Sequence, residues 1–363
     1  MISDEQLSAG VLRFGRGMIR HVRVVAREPL PGLAIGSGAS FERVRLEVDG
    51  CPRVGVLKAI APDPISATRE RRFYEELRET LPMRALRAFG SGEIQGRSDG
   101  WVLLDELPSS RRWRPALALE VAREAAKLHR ATLGRAPAWL PRPFSGELPS
   151  ALAHVAGGID RLEALQRREP ALRGLASSRA LSLGRELASD LTPLRVALAR
   201  SPEAIVHRDL HPGNVCLPAD GGAPILFDWE AVSAGPPIFD ITLLYQYAAI
   251  RRVRIVGRAL ELDFYGPRGI SWHELERGYL EGLGDAPREA IAGAANGAFV
   301  WESLYRLGWC ASQIEGRVPR RSLALARVPA LRALGRFGDL AALCAAWQTM
   351  FADFEVRAAT ILK

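Results

Sequence analysis

The stretch IVHRDLHPGNVCL at residues 205–217, followed by PILFDWE at residues 224–230, decides how this chain is read. Asp209 follows the apolar pair Ile205-Val206, Asn214 opens the short run Val215 to Leu217, and Asp228 closes a second run from Ile225 to Phe227. Between the runs, residues 218–224 (PADGGAP) have the Gly, Pro and Asp content of a hairpin loop. Closing that hairpin brings Asn214 and Asp228 together at its open end. One amide and one carboxylate with a further acid nearby are the hard oxygen donors that a triphosphate-bound Mg²⁺ takes. Asp209 is then left to orient a hydroxyl nucleophile.

Plainer readings compete. Any one of these aspartates could serve only as a turn or cap residue. His207 and His211 stand four apart, the spacing of two zinc ligands on one helical turn. Pro212-Gly213 ends any helix there, and no Glu occupies the position that would act as base. His207 is read instead as a structural histidine that braces the loop.

The first third supplies the other half of a nucleotide site. Gly36-Ser37-Gly38 precedes a run in which Val44, Leu46 and Val48 alternate with Arg43, Arg45 and Glu47, which predicts a strand. A Rossmann turn would need a third glycine and a helix, so Gly36 and Gly38 suit either a hairpin loop whose backbone can approach phosphates or a plain Gly-rich turn. The chain holds only three lysines, at 58, 127 and 363, among 49 basic residues, so arginine is its default cation. Lys58 nevertheless sits in the strand Val54 to Ile60, on one period-2 face with Val54, Val56 and Ile60. A charge on an apolar face needs a partner. Glu70 is the candidate, because Glu70, Phe73, Tyr74 and Leu77 keep the spacing of a buried helix stripe.

The HxDxHxGN run from His207 to Asn214, with Asp228-Trp229-Glu230 and then Asp240, resembles the aminoglycoside phosphotransferase and choline kinase-like family of small-molecule kinases. The resemblance implies an α+β, two-lobed protein-kinase-like fold, with a β-rich N-lobe to about residue 107 and a mostly helical C-lobe over 108–363. It implies Asp209 as catalytic base, Asn214 and Asp228 as Mg²⁺ ligands, and Asp240 as a C-lobe support. Lys58 and Glu70 become the strand lysine and helix glutamate that hold ATP phosphates. Trp101 to Leu107 becomes the hinge, with backbone groups of Asp105 to Leu107 on the adenine edge and Ile35, Val56, Leu104, Cys216 and Phe227 as apolar walls. Helical patterns fill the second lobe, at 116–133, 151–200 and 287–315, and after about residue 250 the resemblance extends only to helical character.

Composition narrows the remaining classes. A chain of 363 residues with 48% apolar content can bury a core larger than one ordinary domain. Its four cysteines, at 51, 216, 310 and 344, form no ligand spacing, and no signal-peptide or membrane-spanning run occurs, so a reduced cytoplasmic protein is expected. The net charge of +8 raises nucleic-acid binding as a rival, but the arginines of 317–336 recur at helical spacing and read as solvated faces. Nothing fixes an oligomeric state.

The interval from Asp228 to Asp240 is only twelve residues, too short for the peptide-docking segment of protein kinases. A small hydroxylated acceptor is therefore expected: an aminoglycoside or other antibiotic, an amino alcohol or a sugar. Glu230 and Glu302 are the acids that could receive a cationic acceptor, unless they are simply solvated. The alternative is a kinase-like binding module without catalysis.

Overall fold

The computed structural model describes residues 2–30, 39–60, 64–94, 100–142, 148–248, 250–256, 259–264, 269–317 and 338–363. Gly36, Gly38 and Ile35 lie outside them, as does the arginine-rich run beyond Arg317. Chain contacts divide the protein into two compact units, Met1–Arg112 with Gly213–Val232, and Trp113–Pro212 with Ser233–Lys363. The division is not the linear one at residue 107, because the hairpin that follows Asn214 groups with the first unit.

The first unit is built on an antiparallel sheet in the order β1-β2-β3-β5-β4, formed by β1 (Val22–Pro29), β2 (Ser40–Val48), β3 (Cys51–Ile60), β4 (Ala88–Glu93) and β5 (Gly100–Asp105). Asp49-Gly50 joins β2 to β3 with both residues at positive φ, the mirror-image turn that matches strand twist. One sheet face carries Val44, Leu46, Leu57, Trp101 and Leu103, covered by Leu7 and Val11 of α1 (Asp4–Phe14). This helix was not foreseen, although Ser3 and Gln6 cap it reciprocally. Gly10 lets α1 lie flush on the sheet, since a Cβ there would stand 2.3 Å from Trp101. The other face carries Val56, Lys58, Val102 and Leu104.

That second face departs from the expected apolar stripe. Val54 is 38% exposed and Val56 half-buried, so the face turns from wet to buried along the strand and Lys58 lies at its buried end. The expected helix over Glu70 to Leu77 also changes character: α2 (Pro64–Arg72) widens into a π turn at Phe73–Leu77. The short strands β7 (Val215–Cys216) and β8 (Ile225–Leu226) pair as the hairpin read from the sequence. Leu226 exchanges backbone hydrogen bonds with Arg84 and Leu86, and Arg111 N–H donates to Leu217 O, which ties the hairpin to this unit.

The second unit is mostly helical: α3 (Ala118–Thr132), α4 (Leu148–Arg168), α5 (Ser178–Ser189), α6 (Thr192–Ala199), α7 (Ile238–Tyr247), α8 (Trp272–Gly282), α9 (Arg288–Gly293), α10 (Ala295–Arg317) and α11 (Gly338–Ile361). A Cβ on Gly158 would stand 1.7 Å from the Gly308 carbonyl oxygen, so glycine permits α4 and α10 to touch backbone to backbone. Beside the helices, β6 (Ala204–Val206) pairs with β9 (Ser233–Gly235) and fixes the two chain segments that carry the functional loop. An antiparallel pair, β10 (Ile250–Val256) with β11 (Ala259–Phe264), corrects the helical reading of that region. Among the described residues no helix is long and apolar enough to cross a membrane.

Candidate active site

In the first unit the functional side chains converge on Lys58. Its Nζ lies 2.7 Å from Glu70 Oε2, 2.6 Å from Asp228 Oδ1 and 3.4 Å from Glu230 Oε2. Strand alternation sends Leu57 to the α1 side and Lys58 to the other, where Glu70 waits at the end of α2 with no exposure. Trp229 holds the flanking acids in place. Its buried ring stacks on Phe73, with centroids 3.9 Å apart and planes 10° from parallel, so Asp228 and Glu230 on either side both reach the ammonium. The π turn presents Phe73 for that stack. Asp228 has φ 67°, a left-handed conformation that costs a non-glycine residue on the order of 1 kcal/mol and persists where the surrounding structure over-determines it.

Burial and charge act against each other in this cluster. Burial alone would lower Lys58, but Glu70, Asp228 and Glu230 outweigh it and hold the ammonium charged. Glu70 is pushed up to about 7, by burial first and then by the neighbouring acids, against the pull of Lys58. The oxygens of Glu70, Asp228 and Glu230 lie within 4.8 Å of one another, a set of hard donors able to hold a cation. Asn214 is buried and its carbonyl accepts the Phe227 N–H at 3.2 Å, so the hairpin brings Asn214 alongside the Phe227-Asp228 backbone as the sequence pattern required. Glu230, expected near an acceptor, belongs instead to the lysine cluster.

The hinge residues are accounted for in part. Asp105 N–H donates to Arg87 O at 2.8 Å and its carboxylate pairs with Arg53, so neither of these groups is turned to the adenine edge expected there. Leu107 is 41% exposed. Leu104 and Cys216 are buried and Phe227 half-buried, and Cys216 Sγ lies 3.7 Å from Pro108 O.

In the second unit Asp240 is the organiser. Fully buried in the first turn of α7, it accepts the backbone N–H of His207 (2.8 Å, Oδ2) and of Arg208 (2.8 Å, Oδ1), and meets His129 Nε2 at 3.1 Å. His129 Nδ1 in turn faces Tyr279 Oη at 2.8 Å. Arg208 adopts φ 66°, with its guanidinium over Phe239 and bonded to Glu302 at 2.6 Å. Glu302, offered as a receptor for a cationic acceptor, is thus buried and neutralised. His207 Nδ1 accepts the Asp209 N–H at 3.3 Å, the bracing role expected of it. Asp209 itself is half-buried, 3.4 Å from His211 Nε2. Burial would raise its carboxyl, but His211, Arg306 and His207 outweigh that and hold it well below the ordinary range.

The match to known proteins follows these two constellations. The model of the phosphotransferase enzyme family fits residues 32–276, and the chain belongs to that family. Among solved structures it is similar to an aminoglycoside phosphotransferase from Alicyclobacillus acidocaldarius subsp. acidocaldarius, at 13% identity and TM-score 0.52 over 93% of each chain. It is also similar to a spectinomycin phosphotransferase in complex with ADP and spectinomycin, at 11% identity and TM-score 0.50 over 96% of this chain and 98% of that one. At these identities the likeness establishes the kinase-like α+β fold. No curated protein sequence matches the chain significantly.

Proposed function

We propose that this protein transfers the γ-phosphoryl group of ATP to a hydroxyl of a small molecule. The observation that carries the reading is Lys58, buried on its strand with carboxylate oxygens of Glu70, Asp228 and Glu230 at 2.7, 2.6 and 3.4 Å from its ammonium. Those clustered oxygen donors, with Asn214 on the same hairpin as Asp228, fit Mg²⁺, and Asn214 and Asp228 are the residues that would hold it. When bound, the metal would neutralise charge on the phosphate oxygens.

Lys58, fixed by Glu70, positions the phosphates. Asp209, kept ionised, accepts a hydrogen bond from the acceptor hydroxyl and orients its oxygen toward phosphorus. The oxygen–phosphorus bond forms, the bond to the ADP oxygen breaks, and the proton passes toward Asp209. Asp240 contributes by fixing the backbone of His207 and Arg208, two residues before the base.

The test is ATP consumption across hydroxylated metabolites and antibiotics, with mass spectrometry for the gain of one phosphate. Acceptor-dependent ADP formation is expected from the wild type and not from Asp209→Asn. Binding of ATP with no acceptor-dependent turnover would leave a kinase-like binding module instead.

A further inference from the structure

Arg208 stands directly before the proposed base in a backbone conformation that an L-residue rarely adopts. At φ 66° its Cβ is crowded by the following carbonyl, and glycine would sit there without strain. The kink is held by contacts to three side chains. The Arg208 N–H donates to Asp240 Oδ1 at 2.8 Å, the guanidinium lies 4.2 Å from the Phe239 ring centre, and Nη1 donates to Glu302 Oε1 at 2.6 Å. Phe239 and Asp240 are neighbours on α7, but Glu302 comes from α10, 94 residues further along the chain than Arg208. With side chains only 16% and 6% exposed, this pair is shielded from water and differs from the exposed ion pairs that contribute little.

A buried ion pair is a poor source of stability, because desolvating two charges offsets most of their attraction, but it can fix one geometry. Here that geometry belongs to the residue whose left-handed turn decides where Asp209 emerges. We propose that Glu302 is a positioning residue for phosphoryl transfer: by anchoring Arg208 at positive φ it sets the direction in which the Asp209 carboxylate meets the acceptor hydroxyl. The inference rests on the phosphotransferase reading and adds to it a residue that acts through Arg208. Glu302 also acts electrostatically on Arg306, one turn further along α10, and Arg306 acts on Asp209. A second route from Glu302 to the base therefore exists, and a double-mutant cycle separates the two.

Full-length wild type, Glu302→Gln, Arg208→Gly and the double variant are compared by thermal melting and by ADP release from Mg²⁺-ATP, in water alone and with the hydroxylated compound that the acceptor screen returns. Glycine relieves the positive φ, and the double variant leaves neither charge of the pair buried, so it should melt no lower than wild type. Its kcat should nevertheless fall about 10- to 100-fold, the effect of a displaced catalytic group, with the KM for ATP changed no more than a few-fold. Each single variant should show a loss of the same size, and the two losses should not multiply in the double variant. The double variant carries the test if either single variant, with one charge left alone, fails to fold. Wild-type kcat in the double variant overturns the inference and leaves the phosphotransferase reading intact. So do losses that multiply, which would route the action of Glu302 through Arg306, and a fall in kcat that tracks a fall in melting temperature, which would make the pair a structural bond only. ADP release by the wild type no faster than by Asp209→Asn removes the reading and the inference together.

Discussion

The Lys58 cluster and the Asp240 cluster are both buried polar assemblies, yet they close their charge in opposite ways. Around Lys58 three carboxylates share one cation, and Glu70 is forced up to about 7. Around Asp240 the acid is met by His129 and by two backbone donors, and burial, which would raise it, is outweighed so that its carboxyl lies below the ordinary range. Buried charge is tolerated only when paired and hydrogen-bonded. The second cluster is complete as it stands, which suits a scaffold that sets a loop. The first gathers three carboxylates within 4.8 Å of one another, which suits a site that acquires a cation with its substrate.

If that contrast is functional, the largest effect belongs to Asp228. Asp228→Asn keeps the side-chain shape and a residue type that tolerates positive φ, but removes the carboxylate charge of the proposed ligand pair. Phosphoryl transfer should fall on the order of 10⁴-fold or more with an unchanged melting curve. Wild-type turnover with Mg²⁺-ATP would show that the carboxylates gathered around Lys58 have no part in catalysis. The next effect is at the base. Asp209→Asn should lose about 10²- to 10⁴-fold in kcat while ATP affinity, measured by titration calorimetry, hardly changes. A variant that lost ATP affinity and kept turnover would move Asp209 from acceptor to nucleotide.

The contrast was only half legible in the sequence. Lys58 stood out because the chain writes arginine almost everywhere else, and Glu70 because its spacing put a charge on a buried stripe. His207, Asp209 and Asp240 were marked by a motif. What escaped depends on contacts distant in the chain. Glu230 looked like an acceptor residue until the Phe73–Trp229 stack was seen to turn it toward Lys58. Glu302 looked available because Arg208, its partner, lies 94 residues away. The π turn answers a packing demand that propensity does not encode. The β10–β11 pair was within reach, since Val253 and Ile255, then Leu260, Leu262 and Phe264, alternate with charged residues in much of the run.

A smaller effect separates charge from geometry at Lys58. Lys58→Arg conserves charge, but a planar, longer guanidinium cannot sit at 2.6–2.7 Å from both Glu70 and Asp228 in the same buried space. Activity under saturating ATP should drop roughly 10²-fold, an order-of-magnitude expectation for a displaced electrostatic contact. Lys127→Arg, at a half-exposed lysine bonded to Glu124, should be silent. Equal activity of the two variants would reduce Lys58 to an ordinary cation.

The smallest effect is a difference in the pH dependence of stability, and it tests the charge state of the Lys58 cluster without any turnover. Glu70 has its folded value raised above the ordinary 4.5 to about 7, so the folded state holds a proton that the unfolded chain has released. Its contribution is full below about 4.5 and is lost as pH rises to about 7. Asp240 and Asp209 are lowered, so their contributions are present above the ordinary 3.8 and are lost only as pH falls below it. The two clusters therefore act in separate windows. Between pH 5 and 7 the urea midpoint should fall, by an amount equivalent to roughly 1–3 kcal/mol from Glu70. Glu70→Gln, a permanently neutral side chain of the same shape, should flatten that fall. Millimolar Mg²⁺ should flatten it as well if the carboxylates take the cation, because a bound cation favours their ionised form. An unchanged slope in Glu70→Gln would mean that Glu70 holds no extra proton in the folded state, and the contrast between an open and a closed charge cluster would disappear.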